Sequence, residues 1–233
     1  MQKYLYETHL HTCQGSACGK NTGSEMAIAH KEAGYAGIIV TDHFFYGNTA
    51  VDRGLPWQDW VHEFCSGYRD ALETGKQIDL DVFFGWESGY NGTEFLIYGL
   101  DEEWLMAHPE IKDATVQEQY KLVKESGGAV FQAHPYREEY YIPKVRLYPD
   151  DIDGIEVFNA SNKLRDGIDV FNERAEKYAL KNNFPTTCGS DIHCSEPIMS
   201  GVEFDKRLKD IHEFVAMVMS RQCEMVKKSK FYS

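Results

Sequence analysis

The chain has 233 residues, 42% of them hydrophobic, which suits a single barrel-sized domain over residues 1–233. Its formal net charge of −13 argues against a broad basic face for duplex nucleic acid, because phosphate binding relies on clustered Lys and Arg. Six cysteines are too sparse for a disulfide scaffold, no charged-then-apolar leader precedes Tyr4, and no run of about eighteen apolar residues is present; a cytoplasmic protein without a membrane partner is expected.

Residues 4–9 read as the first strand. Successive strand side chains alternate between faces, so His9 and His11 project together while Leu10 faces away. A loop over 13–23, rich in Gly, Ser, Thr and Asn, follows. Ser24 is the expected cap of a helix that Gly34 stops. The continuous apolar run 36–40 predicts a strand buried on both faces, ending at Thr41-Asp42-His43. After an aromatic loop, Trp57, Trp60, Val61, Phe64, Tyr68, Ala71 and Leu72 recur at helical spacing and predict one helix over 57–74.

A third strand over 80–84 carries Gly85-Trp86-Glu87 at its tip, and the turn Asn91-Gly92 leads into a strand over 95–100. Thr115 and Glu118 form a capping box for the next helix, which Gly127-Gly128 ends. The strand over 129–133 delivers His134; the strand over 154–158 places Glu156 and Asn159 towards its end. A helix over 164–182 and a short strand over 185–188 then lead to Asp191 and His193. The amphipathic tail 206–228 is expected to be the last covering helix.

Strand tips bearing His, Asp or Glu, separated by stretches long enough for helices, are what a barrel needs to gather distant residues onto one mouth. The order HLHT, VTDH, GWE, AHPYR, CGSDIH, spanning residues 4–193, resembles the PHP (polymerase and histidinol phosphatase) family of metal-dependent phosphoesterases. The resemblance implies an α/β fold, a distorted (β/α)7 barrel of parallel strands with outer helices, and a mouth holding two or three divalent ions (Zn, Mn or Fe). It carries metal-ligand roles onto His9, His11, Glu87, His134 and Asp191 for one pair of ions and onto His43 and His193 for another. Asp42 is expected in a bridging or orienting position, with a loop cap as the alternative.

Two positions depart from the pattern. Ser16 and Ala17 stand where many members have Asp or His, so the ion at His43 and His193 lacks a protein ligand or recruits Cys18 or water; Glu94 stands where many have His. Cys13, Cys18, Cys188 and Cys194 lie near the motifs, and Cys13 and Cys18 lack the tight spacing of a structural zinc knuckle.

The implied reaction is hydrolysis of a phosphate ester by water that the ions activate, with a phosphomonoester of a small metabolite as the expected partner. Asp191, His193 and Arg137 are the expected catalytic residues, with His193 or a metal-bound water protonating the leaving alcohol. Arg137 is the first choice for the substrate phosphate, with a salt bridge to Glu138 or Glu139 as the alternative; Lys163 and Arg165 are second choices. Competing readings are a phosphodiesterase or exonuclease on nucleotides, a metal amidohydrolase, and a non-catalytic accessory module. The oligomeric state is left open.

Overall fold

A computed structural model describes residues 2–162 and 169–228. Nine strands form one sheet: β1 (Tyr4–Leu10), β2 (Gly37–Val40), β3 (Asp81–Tyr90), β4 (Thr93–Tyr98), β5 (Ala129–Gln132), β6 (Gly154–Asn159), β7 (Thr186–Gly189), β8 (Gly201–Phe204) and β9 (Glu224–Val226). Their order is β7-β6-β5-β4-β3-β2-β1-β8-β9. The ring nearly closes between its first strand and β7: Leu10 bridges Ile192, and the Thr8 hydroxyl donates to the Cys188 carbonyl at 3.0 Å.

The expected α/β barrel is therefore present, but with nine strands in a mixed sheet rather than seven parallel ones. Parallel pairs β1/β2, β2/β3, β5/β6 and β6/β7 carry crossovers, whereas β3/β4, β4/β5, β1/β8 and β8/β9 are antiparallel. The cause at β3/β4 is local. Asn91 and Gly92 both take positive φ, +51° and +85°, the backbone of a two-residue hairpin turn, which reverses the chain without a crossover helix. The start of β4 thus returns to the mouth, with Glu94 opposite Gly89.

The outer helices are α1 (Gly23–Glu32), α2 (Trp57–Phe64), α3 (Ser66–Ile78), α4 (Glu102–Ala107), α5 (Val116–Glu125), α6 (Val170–Asn182) and α7 (Ile211–Met219). Thr22, not Ser24, caps α1, in a reciprocal box with Glu25. The Thr115–Glu118 box caps α5 as expected. The helix expected over 57–74 is two helices, divided at Cys65. Of the helix expected over 164–182, residues 164–168 lie outside the described residues, and the rest is α6 with Asp169 as its cap. The tail forms α7 and then β9, because Arg221 at φ +58° ends the helical run and the chain turns back to pair with β8.

Packing leaves the mouth polar and the opposite end apolar. Tyr6, Ile39, Leu96, Tyr98 and Phe131 are fully buried in one cluster with Phe204 and Phe214. Phe214 of α7 meets Tyr98 and Phe204 edge-on at 5.2 and 5.9 Å, at the end of the barrel where β1 begins. A second cluster, with Trp60 stacked on Phe64 at 4.8 Å and both packed round Phe44, anchors α2 under the loop after β2. Among the described residues, no helix is long and apolar enough to cross a membrane.

Candidate metal centre

The strand tips converge. His9 and His11 project one way at the end of β1, whereas the register shift between Glu7 and Leu10 turns Glu7 to the opposite face; all three are fully buried. His43 continues the β2/β3 pairing past the end of β2 and bridges Glu87, which brings its Nδ1 to 2.8 Å from Glu87 Oε2. His134 Nε2 lies 3.1 Å from Glu87 Oε1 and 3.4 Å from Glu94 Oε2. Asp191 Oδ1 lies 3.2 Å from His11 Nε2 and 3.6 Å from His9 Nε2. The His11 ring stacks between His43 and His193, with centroids at 4.2 and 4.4 Å.

Four groups of donor atoms result, each with all its atoms within 4.8 Å of one another: His9, Glu87 and His134; His9, His11 and Asp191; His11, His43 and His193; and His43, Glu87 and Glu94. Seven of the eight residues expected as metal ligands enter these groups, and Glu94 joins them. Asp42 does not. Its Oδ1 accepts from the Thr12 amide and the Ser16 hydroxyl, both at 2.6 Å, and its Oδ2 from the Thr12 hydroxyl at 2.7 Å.

The ring nitrogens are assigned by their partners. His9 Nδ1 faces a carboxylate oxygen of Glu156 at 2.9 Å and so donates to it. The Ser16 hydroxyl spends its proton on Asp42, so it accepts from His11 Nδ1 at 3.2 Å and from the His43 amide at 2.9 Å. His193 Nδ1 donates to the Asp191 carbonyl at 2.9 Å. These bonds turn Nε2 of all three rings towards the cavity, the arrangement that outer partners impose on metal-binding histidines.

Buried polar atoms normally find partners, and several here do not. His9 Nε2 and His11 Nε2 are buried with no hydrogen bond, and His43 Nδ1 and Glu87 Oε2, equally without one, have only their 2.8 Å approach to each other. All four belong to the donor groups, as expected of atoms whose partner is a cation. Imidazole with carboxylate is a donor set suited to zinc, manganese or iron. The residues therefore fit a divalent metal centre.

Charge and burial compete throughout. Burial opposes protonation of His9, yet Glu156, Asp191 and Glu87 hold it well above the ordinary imidazole value. His11 is depressed by burial and by His43 and His193. Burial opposes ionisation of Glu87 and Asp191, but His9 and further cations hold both well below the usual carboxylate range. Burial lifts Asp42 to about 6 and Glu7 to about 7.

Backbone strain marks the same place. His134 and Asp191 adopt φ of +26° and +53°, unusual for side-chain-bearing residues and frequent at functional sites. Gly189 is required beside them, since a Cβ there would stand 2.6 Å from His9 Cβ.

Arg137 lines the cavity with its guanidinium already engaged. Its guanidinium pairs with Asp191 Oδ2 at 2.8 Å and donates to Asn162 and Asn159, each at 2.8 Å. It faces the cavity through what remains; Glu138 pairs with Arg174 instead. Lys163 and Arg165 lie outside the described residues.

Three residues that the sequence reading gave no role complete the centre. Glu156 accepts from His9, from the His134 amide at 2.9 Å and from Asn159 at 3.0 Å. Glu7 Oε1 accepts from the amides of Thr8, His9 and Ser190, all at 2.9 Å, tying β1 to the end of β7. Ser16 links Asp42 to His11. Glu156 was legible as a carboxylate at a strand end; nothing in the sequence flagged the irregularity in β1 that sets Glu7 apart from His9, or Ser16 as a link.

No protein-family model matches the chain, and no curated protein matches it in sequence. Solved structures do. A two-domain protein from Bacteroides vulgatus containing a predicted PHP-like metal-dependent phosphoesterase superposes with a TM-score of 0.72 at 14% identity over 97% of this chain. The chain has the PHP fold. It spans 65% of the length of that two-domain protein. A Bifidobacterium adolescentis protein, assigned by inference as a metal-dependent phosphoesterase, gives a TM-score of 0.58 at 16% identity, over 94% of this chain and 96% of that one. An amidohydrolase from Chromobacterium violaceum, solved with sulfate and no metal, gives 0.54 at 14% identity, over 81% of this chain and 87% of that one. At such identities the likeness concerns the PHP fold, and chemistry has to be argued from the site.

Proposed function

We propose that this chain is a metal-dependent hydrolase of phosphate esters, acting on a phosphomonoester of a small metabolite. The observation that carries the reading is the set of buried donor atoms without hydrogen bonds, gathered at the barrel mouth in groups that mix imidazole with carboxylate. Two or three divalent ions (zinc, manganese or iron) would be held by His9, His11, Glu87, His134 and Asp191, and by His43 with His193. Glu87 belongs to two of the groups and would be the carboxylate that two ions share. Asp42 orients His11 through Ser16, and Glu156 orients His9. When bound, such ions lower the pKa of water towards neutrality and offset charge on phosphate oxygens.

The chain's own residues do the rest. The cavity over the centre measures about 580 Å³, within the size range of small-ligand sites, and its lining includes His43, Glu87, Arg137, Asp191 and His193. Arg137 is the one Lys or Arg among its described lining residues, so it supplies the substrate phosphate with a cation. His193, fixed through Nδ1, presents Nε2 to the cavity and is the proton donor to the leaving alcohol.

An amide substrate is the second reading, favoured by the likeness to the Chromobacterium violaceum amidohydrolase. The test is a panel of phosphomonoesters, phosphodiesters and amides, offered to the purified chain with zinc, manganese or iron, before and after chelation. Phosphate release from monoesters that a chelator abolishes and metal restores is expected. Chelator-sensitive turnover of amides or diesters alone overturns the substrate assignment, and failure to bind metal overturns the whole reading.

A further inference from the structure

We propose that Tyr46, Tyr140 and Tyr141 select the alcohol part of the substrate, which carries a flat, uncharged ring. The inference rests on the phosphomonoester reading above and concerns what lies beyond the phosphate. Among the described residues these are the only exposed tyrosines, at 61%, 97% and 47%, and all three line the cavity over the metal centre. The other described tyrosines are buried or half-buried. Large aromatic side chains left uncovered together at the edge of a site mark a surface that receives something else.

Two separate segments bring them there, and both are pinned. In the loop after β2 the Phe44 amide donates to the Glu87 carbonyl at 2.8 Å and the Gly47 amide to the Phe44 carbonyl at 2.7 Å, while the Tyr46 hydroxyl donates to Asp113 at 2.7 Å. Between β5 and β6, the Ile142 amide donates to the Glu139 carbonyl at 2.9 Å and closes a turn with Tyr140 and Tyr141 at its corner, their rings edge-on at 5.4 Å. The Arg146 guanidinium donates to the Tyr90 and Asn91 carbonyls, at 3.3 and 3.1 Å, and ties this segment to the β3–β4 turn. Gly92 permits the crossing, since a Cβ there would stand 3.0 Å from Ile142 Cα. Tyrosines carried on fixed backbone have few torsions left to order when a ligand arrives.

The rest of the lining limits what the rings can meet. Arg137 is the one Lys or Arg among the described lining residues and serves the phosphate, Asn48 and Asn91 are neutral, and Glu94 is a carboxylate. A second anionic group on the substrate would find no further Lys or Arg among them, and burying it unpaired is costly. Ring faces with a hydroxyl at the tip suit a planar apolar group with neutral polar edges.

The probes are 2-phenylethyl phosphate and 2-cyclohexylethyl phosphate, which share a carbon count and closely similar leaving groups and differ in the flatness of the ring. The full chain loaded with zinc or manganese is expected to favour the phenyl ester by about tenfold in kcat/KM, expressed in KM, the order that ring–ring contacts supply. The matching phosphonates, which are not hydrolysed, are expected to inhibit with the same ratio. Tyr46→Leu, Tyr140→Leu and Tyr141→Leu together are expected to bring both ratios to about one with metal content and circular dichroism unchanged, and Tyr140→Phe is expected to keep them. Equal treatment of the two esters by the parent, or a ratio that survives the three leucines, overturns the assignment while leaving the phosphomonoester reading standing. No chelator-sensitive turnover of any monoester overturns both.

Discussion

Glu156→Gln isolates the outer carboxylate from the donor atoms themselves. Glu156 uses both oxygens: Oε1 takes the proton of His9 Nδ1, while Oε2 takes the His134 amide and the Asn159 side-chain amide. A glutamine has one oxygen. If it faces His134 and Asn159, its NH₂ meets His9 Nδ1, the ring must accept there, and the proton moves to Nε2, the atom 3.2 Å from Glu87 that belongs to two donor groups. If it faces His9, the NH₂ meets two donors, one on His134 at its strained φ of +26°. Either way one charge-assisted hydrogen bond is lost in a fully buried place, worth about 1.5–3 kcal/mol. Outer partners of metal-binding histidines change affinity by about 10–100-fold, which converts to about 1.4–2.8 kcal/mol, the same order. Competition against a chromophoric chelator measures the affinity, and urea unfolding of metal-free protein is expected to show a loss of about 1–3 kcal/mol. A glutamine variant with metal affinity within about twofold of the parent would refute the claim that Glu156 sets the His9 tautomer.

Arg137→Lys should lower catalytic efficiency by about ten- to a hundredfold, since an ammonium cannot keep the contacts to Asp191, Asn159 and Asn162 while facing a phosphate; steady-state kinetics on an accepted ester test this. Asp191→Asn should lower turnover by more than about a hundredfold with a circular-dichroism spectrum unchanged, because Asp191 lies at the mouth and outside the apolar clusters. His30, on α1 and away from the centre, is fully buried and depressed to about 4 by that burial, against 6.5 when unfolded, with Nδ1 donating to the Met26 carbonyl. The unfolded chain therefore binds more protons between those values, so stability is retained above about pH 6.5 and lost as pH falls towards 4. The loss from pH 7 to 5 is about 2 kcal/mol, and His30→Leu should remove that part of the difference between urea titrations at the two pH values.

What the sequence alone determined is the inventory and the face. The period of two in His9-Leu10-His11 sends two imidazoles one way, and the runs before His43, His134 and Asp191 place each at a strand end, because strand alternation and continuous burial are local properties. The Asn91-Gly92 turn was legible for the same reason, although its consequence, an antiparallel β4 that returns Glu94 to the mouth, depends on which strand pairs with which. Tertiary structure decided everything that joins residues far apart in the chain. Asp42 became an orienting group because Ser16 and Thr12 fold onto it, and Glu156 met His9 across 147 positions. Arg137 was drawn to Asp191 and two asparagines, since a buried guanidinium needs acceptors on every side and only the packed barrel supplies them.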